Sequence, residues 1–548
     1  MMDPAALIAT PLDSFRVALS LLYFGMTISR SLAAVLFAVL PLAAQCNPTL
    51  AAASNVAGNI TTFATLPNGD LVAGGTFTSI GGVAALGIAR RDSSGSWQPL
   101  GTGIQGSVRA LAVLPNGDLI AGGQFAIAGG LVVNHIAQWD GSTWFGLGSG
   151  MGSSIASIQA TAVHALLVEP NGDLIVGGHF TTAGGLALGT VTGGSWGTPG
   201  HIARWNSSGW SPVGGGLFGS HLNPPPAVDS IVRLPSGDLI VAGQFTIPVG
   251  RIGRWDGTAW HGMSSGWPVS GISEPVPSLL VMPNGDLIAG GGKYIFQLGA
   301  PYVDPYVARW NGSSWGALGT LDSVGFGLSR TFALLPLPNG ELLAGGRGVT
   351  ANGGATNTLV RWSGSTWSNV ASGLAGDVRA LRTEPDGSVL VGGSFSASGA
   401  VPTTGLARLA SPCPATASFG GSGCNGTAGP CTLTATALPW LGSACVTAVG
   451  GMPAASIGIV VTSLSPQTIP LSLVLPFAGI GCEGLLQVGL SDVVLPVAGG
   501  AAFALPLPAQ PAFVGITLYQ YAAILEFNAS NAIALTATNR LVLSLGAF

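Results

Sequence analysis

One short motif occurs seven times between residues 66 and 388. Each copy combines proline, a polar turn residue and glycine, and most copies end in an acidic residue. An apolar run with a glycine pair or its remnant follows. The prolines are 48, 55, 65, 48, 55 and 47 residues apart. Repeats of ~40–50 residues with several strands each are typical of propeller blades. The seven copies are 66–70, 114–118, 169–173, 234–238, 282–286, 337–341 and 384–388.

A single repeat, residues 107–149, predicts four antiparallel strands. β-Rich runs cover 108–114, 119–125, 134–139 and 143–147. Pro-Asn-Gly-Asp joins the first two, because proline presets the backbone and Asn-Gly tolerates positive φ. Asp-Gly-Ser joins the last two. The sequence therefore predicts an all-β fold, with a seven-bladed β-propeller over residues 46–411.

The seventh repeat lacks a fourth strand, because its third strand ends near residue 409 and the composition then changes. Residues 49–58 align with residues 366–376, which contain a fourth strand. We expect residues 49–54 to complete the seventh blade from the N-terminal side. This would leave no exposed strand edge between the two ends of the domain.

A second feature repeats with the motif. The residue that opens strand two is usually acidic, and the residue that ends strand three is usually basic. Neighbouring antiparallel strands bring these positions together, which predicts cross-strand ion pairs; an anion-binding ring of arginines is the alternative. The pairs are Asp70/Arg90, Asp173/Arg204, Asp238/Arg254, Asp286/Arg309 and Glu341/Arg361, with neutral partners in Asp118/Gln138 and Ser388/Arg408.

Five repeats carry tryptophan on both sides of the third-to-fourth turn. Paired rings of this size fill the wide outer part of a blade, and sugar stacking is the functional alternative. The pairs are Trp139/Trp144, Trp205/Trp210, Trp255/Trp260, Trp310/Trp315 and Trp362/Trp367.

The insertions lie on the face opposite the repeated turns, and variable loops on one face are the usual binding surface of a repeat scaffold. The insertion 292–306 is rich in polar and aromatic residues, and three neighbouring insertions add one candidate each. We call these eight residues the polar-aromatic patch and predict a ligand site there. They are Lys293, Tyr294, Tyr302, Asp304, Tyr306, Trp267, His221 and Asp322.

Charge and motif content argue against several functions. Only 7% of residues are charged, the net charge is −4, and no basic stripe exists, so a nucleic-acid partner is not expected. The six histidines have no metal-ligand spacing, and we expect neither a metal nor a cofactor. The Gly-x-Ser-x-Gly match at 312–316 lies on a predicted hairpin instead of a strand-to-helix turn. No catalytic residue is identified.

The N-terminal residues 1–45 predict export. Read from Met26, they contain Arg30, an apolar core and a small-residue end at 42–44, which is a secretory signal pattern. Cleavage, lipid attachment at Cys46 and an uncleaved membrane anchor remain open; no other membrane contact is expected. The expected location is extracellular or at the cell surface.

Residues 412–548 predict a separate β-sandwich of eight or nine strands. Five cysteines fall in this part of the chain, and none lies in 47–412, which indicates a disulfide-stapled module in an oxidising compartment. An odd number leaves one thiol free or paired outside the module, for example with Cys46. The candidates are Cys413, Cys424, Cys431, Cys445 and Cys482.

The repeat as a whole, strand–PNGD–LIAGGxF–loop–IARWDGSTW, resembles the kelch-like and delta-60-type repeats of secreted bacterial β-propellers, and is similar to fungal cortical-marker propellers. The segments 419–427 and 479–482 look like a terminal module of exported bacterial proteins. The resemblance implies export and supplies no catalytic residues.

Three hypotheses for function follow. The first is a non-enzymatic exported protein whose loop-rich face binds a protein or glycan. The second is a carbohydrate-active hydrolase or lyase, and the third is a structural envelope component. Two or more carboxylates or histidines within hydrogen-bond distance of each other would favour the enzyme.

Overall fold

The computed structural model describes residues 48–153, 161–189, 200–217, 226–245, 250–263, 267, 276–297, 300–323, 329–351, 358–370, 374–397, 403–420, 423–426, 429–473, 482–485, 490–497, 499–510, 513–527 and 533–547. These residues form two compact units, 48–410 and 411–547. The described part of the chain is all-β and includes a short 3-10 turn at Leu471–Leu473.

The first unit contains seven antiparallel sheets with four main strands each, one sheet for each copy of the motif. We number the sheets 1 to 7 along the chain and label their strands a to d from one edge of each sheet to the other. The first four sheets are Val56–Thr65, Leu71–Ile80, Ile88–Arg91 and Trp97–Pro99; Ile104–Val113, Leu119–Ala128, Ile136–Trp139 and Trp144–Gly146; Ala162–Val168, Leu174–His179, Ile202–Asn206 and Gly209–Pro212; and Val228–Arg233, Leu239–Gly243, Ile252–Trp255 and Trp260–Gly262.

The other three sheets follow the same order. Short strands extend sheets 1 and 2 or form two small sheets near sheets 3 and 6. Sheets 5 to 7 are Ser278–Val281, Leu287–Gln297, Ala300–Trp310 and Trp315–Ala317; Arg330–Pro336, Leu342–Arg347, Leu359–Trp362 and Trp367–Asn369; and Leu374–Thr383, Val389–Ala397, Thr403–Ala410 and Thr49–Ala52. The short strands are Val83–Ala84, Leu131–Val132, Met151–Gly152, Thr182–Ala183, Leu186–Ala187, Asp322–Ser323 and Val349–Thr350.

Strand d of sheet 7 comes from the N-terminal side of the unit. Thr49–Ala52 pairs antiparallel with Thr403–Ala410, and Leu50 lies opposite Leu409. Strand a of each sheet contacts strand a of the next, from sheet 1 through sheet 7 and back to sheet 1. The seven strands a therefore surround a common axis, and the two ends of the unit meet within one sheet.

The glycine pairs in strand b allow neighbouring sheets to approach closely. A Cβ atom built on Gly74 of sheet 1 would lie 2.7 Å from Val108 Cγ1 of sheet 2, and one on Gly392 of sheet 7 would lie 2.8 Å from Ile60 Cγ2 of sheet 1. The apolar cores lie in these interfaces; Ile60, for example, packs in one cluster with Leu390. Glycine is required here because a larger side chain would separate the sheets.

The paired tryptophans face each other across strands c and d, with ring centroids 5.0 to 5.5 Å apart. Several strand-d rings also connect neighbouring sheets. Trp144 Nε1 donates to the carbonyl of Leu100, and Trp210 Nε1 donates to the carbonyl of Leu147, at 3.0 and 2.9 Å. Both rings are buried. Their contacts are those of packing residues.

The second unit contains a six-stranded and a three-stranded sheet that share one hydrophobic core. Leu433 of the small sheet and Ile524 of the large sheet belong to this core. The large sheet consists of Thr416–Gly420, Arg540–Ser544, Thr517–Phe527, Ser456–Ser463, Leu490–Val494 and Ile533–Ala537, and the small one of Thr432–Ala437, Ala444–Gly450 and Gly500–Pro506. Two short hairpins pair Asn425–Gly426 with Gly429–Pro430 and Thr468–Pro470 with Glu483–Leu485.

A disulfide joins Cys424 to Cys482 in this unit. Cys413 is also disulfide-bonded. Cys46, the partner considered for an unpaired cysteine, lies outside the described residues.

The expectation of a disulfide was wrong for Cys431 and Cys445, which are buried free thiols. Both belong to the core shared by the two sheets, where a thiol packs as a small apolar group. Cys431 donates to the carbonyl of Gly451 at 3.2 Å. Burial raises the pKa of both thiols, that of Cys445 to about 12.

Candidate functional site

The expected loop 292–306 is instead a long antiparallel hairpin. Strands b and c of sheet 5 continue through it, with Lys293 opposite Asp304 and Tyr294 opposite Val303. Tyr302 lies opposite Ile295. The expectation of a loop was wrong because alternating β-rich residues on both sides of the turn extend the ladder.

Trp267 does not provide an exposed ligand platform. It is 4% exposed and belongs to the core between sheets 4 and 5. Its ring contacts Tyr306 and Trp315 edge-on, with centroids 5.3 and 5.6 Å apart. Asp322 lies in a two-residue strand opposite Thr350. His221 lies outside the described residues. The ring contact between Trp267 and Tyr306 is therefore internal packing and not part of an open surface.

The predicted ion pairs lie beside the repeated turns. Asp70 and Arg90 show the pattern, with Arg90 Nη1 3.4 Å from the carboxylate. Asn68 also donates to Asp70 at 2.9 Å, so each carboxylate closes its own turn as well. The other Nη1 distances are 3.5 Å for Asp173/Arg204, 3.0 Å for Asp238/Arg254 and 3.3 Å for Asp286/Arg309.

Arg361 and Glu341 also form the predicted ion pair, through a different nitrogen. The Nε of Arg361, and not a terminal nitrogen, lies 3.5 Å from Glu341 Oε2.

Where one of the two partners is neutral, a hydrogen bond joins them, and Arg408 also forms ion pairs with Glu384 and Asp386 of the adjoining turn. Gln138 donates to Asp118 at 2.6 Å, and Arg408 Nε donates to Ser388 Oγ at 2.7 Å. Because every arginine at these positions has a partner within its own sheet, the arrangement stabilises the repeats and leaves no ring of open guanidinium groups.

A different repeated feature brings polar residues towards the axis. Strand a carries a β-bulge in six of the seven sheets. A bulge inserts one unpaired residue and turns its side chain away from the regular pleat, which is why bulges are common beside functional sites. We call the six inserted residues the axial ring: Thr61, Arg109, His164, Asp229, Phe332 and Arg379. In sheet 5 the equivalent residue is Pro277, just before strand a.

Three members of the axial ring form one hydrogen-bonded chain across sheets 2, 3 and 4. Arg109 Nη1 lies 2.6 Å from His164 Nε2, and His164 Nδ1 lies 2.7 Å from Asp229 Oδ1. A guanidinium group can only donate, so Nε2 accepts and Nδ1 carries the proton given to Asp229. The His164 and Asp229 side chains are only 18% and 13% exposed. Arg109 also donates to Gln124 at 2.9 Å.

A second charged group lies at the ring positions of sheets 6 and 7. Asp377 accepts from Arg347 and from Arg379, each with a contact of 2.7 Å. The Arg379 guanidinium lies 5.0 Å from the Phe332 ring centroid, a cation–π contact. Two cations therefore share one carboxylate at the junction of sheets 6 and 7.

The charged groups of the axial ring shift the pKa values of neighbouring groups. Burial lowers the pKa of the Arg109 guanidinium; the Asp229 carboxylate opposes this effect, and the positive charge of Arg379 adds to it. Burial raises the pKa of Asp377, but hydrogen bonds and charges from Arg347 and Arg379 outweigh it and leave that pKa lowered. The positive charge of Arg379 therefore acts on the partly buried guanidinium of Arg109.

The axial ring was not among the sites predicted from the sequence. Its signal is the residue nine positions before the end of each motif, for example Arg109 before Asp118. This position varies in charge, size and polarity, while the residue before it is β-branched in all seven repeats. Positions that repeat in every sheet are explained by their role in the scaffold. The position that varies from sheet to sheet is not, and it therefore marks the candidate site. No group of three or more His, Cys, Asp or Glu able to hold a metal occurs among the described residues.

One family model matches the chain: DUF5122, a domain of unknown function described as a beta-propeller, over residues 66–96 and 384–411. These segments contain the first and last motifs. A comparison with curated proteins finds no match. Together with the sheets described above, the match shows a β-propeller domain in an all-β chain.

Similar solved structures are mostly carbohydrate-active enzymes. A GH74 xyloglucanase from Xanthomonas campestris has 15% identity and a TM-score of 0.41; the match covers 74% of this chain and 60% of that one. An α-L-arabinofuranosidase from Fusarium graminearum has 11% identity and a TM-score of 0.33, covering 66% and 97%. A PL25 ulvan lyase has 11% identity and a TM-score of 0.29, covering 82% and 96%.

The described residues contain no helix with the length and apolarity needed to cross a membrane. The predicted signal segment, residues 1–45, lies outside the described part of the chain.

Proposed function

We propose that the chain is an exported seven-bladed β-propeller of kelch-like repeats, followed by a β-sandwich from residue 412, that binds a carbohydrate or protein partner at its axial ring. Seven four-stranded sheets and the cyclic contacts of their strands a support the blade count. The core shared by the two C-terminal sheets supports the sandwich. The disulfide between Cys424 and Cys482 supports an oxidising compartment and therefore export.

The observation that carries the binding proposal is the chain Arg109–His164–Asp229. The repeated scaffold has no need of three different polar residues at equivalent positions of neighbouring sheets. Bulges turn them towards a shared axis, and their hydrogen bonds fix their orientation. An oriented set of donors and acceptors on a rigid sheet scaffold is the usual composition of a ligand site.

A glycan array and a pull-down with the exported chain would test this function. We expect a ligand that wild type retains and that Asp229→Asn binds at least tenfold more weakly, since the substitution disturbs the orientation of His164 and Arg109. Arg309→Gln is the matched control, because it changes an exposed charge in a turn-side ion pair. Wild-type silence in both assays would refute binding and favour a structural envelope component.

An enzyme acting on carbohydrate is the second candidate, and one observation favours it. A histidine and a carboxylate lie within hydrogen-bond distance in the ring, which is the arrangement of a general base and its orienting group. However, the Nε2 lone pair of His164 accepts from Arg109, so it is not open to a substrate proton. Release of reducing ends or unsaturated products from array-positive glycans, lost in His164→Ala, would establish the enzyme instead.

A further inference from the structure

We propose that Arg109 and Arg379 bind an acidic group of the ligand, either a carboxylate or a sulfate ester of a sugar. This inference rests on the proposed function and specifies the chemical class that the axial ring would select. The two arginines occupy the ring positions on either side of Thr61, in sheets 2 and 7.

Arg109 is the first reason for this assignment. Both hydrogen bonds of its guanidinium group go to neutral partners, the imidazole of His164 and the amide of Gln124. No carboxylate of the described residues forms an ion pair with it, whereas Arg90, Arg204 and Arg254 each have one. The Asp229 carboxylate acts on Arg109 across His164 and not in a direct ion pair, so the removal of this partly buried cation from water is incompletely compensated. An acidic ligand would supply the missing charge.

Arg379 is the second reason. It shares Asp377 with Arg347, so the three side chains together carry one excess positive charge. The Arg379 side chain is 35% exposed, and the Asp377 side chain is only 9% exposed. The open part of this cluster is therefore cationic. The position of Arg379 over Phe332 also restrains its guanidinium plane.

Thr61 occupies the ring position between these two arginines. The single proton of its hydroxyl is shared between the carbonyls of Val108 and Gly74, so the hydroxyl is engaged with the backbone. The positive charge of Arg379 already acts on Arg109. An anion placed near both would relieve this repulsion, and guanidinium groups match carboxylate and sulfate oxygens in geometry.

Isothermal titration of the full exported chain tests the proposal with three probes. Tetragalacturonate carries carboxylates, its fully methyl-esterified form is the neutral match, and a sulfated neutral galactan oligosaccharide distinguishes sulfate from carboxylate. We expect one of the two acidic probes to bind at least tenfold more tightly than the ester. Arg109→Gln and Arg379→Gln should each weaken that binding about tenfold or more, as expected for the loss of a charge-assisted hydrogen bond. Arg309→Gln should leave it unchanged.

The outcomes separate this inference from the proposed function. Equal binding of ester and acid, or acid binding that survives both arginine variants, would overturn the anion site. If a neutral array glycan binds and Asp229→Asn weakens it, the function stands without the anion site. Silence with every probe and every array glycan would overturn both. Arg379 is partly exposed, so Arg379→Gln still decides the question if Arg109→Gln does not fold.

Discussion

The substitution Gly392→Ala tests whether the seven sheets close into a ring. Gly392 lies in strand b of sheet 7, in the interface with sheet 1. A Cβ atom there would lie 2.8 Å from Ile60 Cγ2 and 2.8 and 3.0 Å from Phe63 Cζ and Cε2. Real Cβ atoms do not approach carbon atoms this closely, so sheet 1 would have to move. Ile60 is fully buried and cannot swing into solvent.

The expected loss follows from this overlap. One extra methyl group in a close-packed interface costs about 1–3 kcal/mol of unfolding free energy. Gly316→Ala is the matched control, because Gly316 also lies in a strand and no atom lies within 4 Å of the position that its Cβ would take. We expect that control to be neutral or stabilising by up to about 1 kcal/mol, through the lower entropy of the unfolded chain.

Urea unfolding followed by tryptophan fluorescence measures the difference. Of the 14 tryptophans only Trp440 lies beyond residue 410, so the other 13 report on the first unit. Gly392→Ala should lower the midpoint at an unchanged m value. Combining it with Ile60→Ala should cost less than the sum of the single changes, because the two side chains compete for the same space. If Gly392→Ala is as stable as Gly316→Ala, sheets 7 and 1 do not pack as described and the closed ring is refuted.

Three further predictions concern charges and cysteines. Cys424→Ser removes a disulfide with a sequence separation of 58 and should destabilise the second unit by up to about 4 kcal/mol. Urea midpoints of wild type and variant, with and without reductant, measure this loss. Equal midpoints of wild type and variant without reductant would contradict it. Cys431 and Cys445 should resist iodoacetamide at pH 8 until urea unfolds the chain, because burial raises the pKa of both thiols; native labelling, detected by mass spectrometry, would contradict their burial. Asp377→Asn should cost about 1–3 kcal/mol at pH 7. The pKa of Asp377 is lower in the folded state, so its stabilising contribution is present above its unfolded pKa near 3.9 and is lost as the pH falls below that value. The urea midpoints of wild type and variant should therefore converge below about pH 4. A difference that does not change with pH would contradict the role of the Asp377 charge.

Much of the scaffold could be predicted from the sequence because short-range chemistry specifies it. Pro-Asn-Gly-Asp fixes a turn within four residues, and the turn fixes which residues of strands a and b are neighbours. The pairing of Asp70 with Arg90 follows from the antiparallel register of strands b and c. The strand at Thr49–Ala52 was also accessible, because a repeat without its last strand requires a substitute.

The candidate site could not be predicted in the same way. The polar-aromatic patch was selected by composition, and composition does not distinguish a loop from an extended hairpin, or an exposed tryptophan from the buried Trp267. Cys431 and Cys445 likewise read as disulfide candidates until the shared core gave each an apolar environment.

The sequence by itself determined the repeat, its turns and the ion pairs within each sheet, since these depend on residues close together in the chain or in one ladder. Only the tertiary structure decided that Arg109, His164 and Asp229 form one hydrogen-bonded chain, although 120 residues separate the first from the last. Their meeting depends on the cyclic packing of strands a and on a bulge in each. Both result from contacts between sheets, which no single repeat encodes.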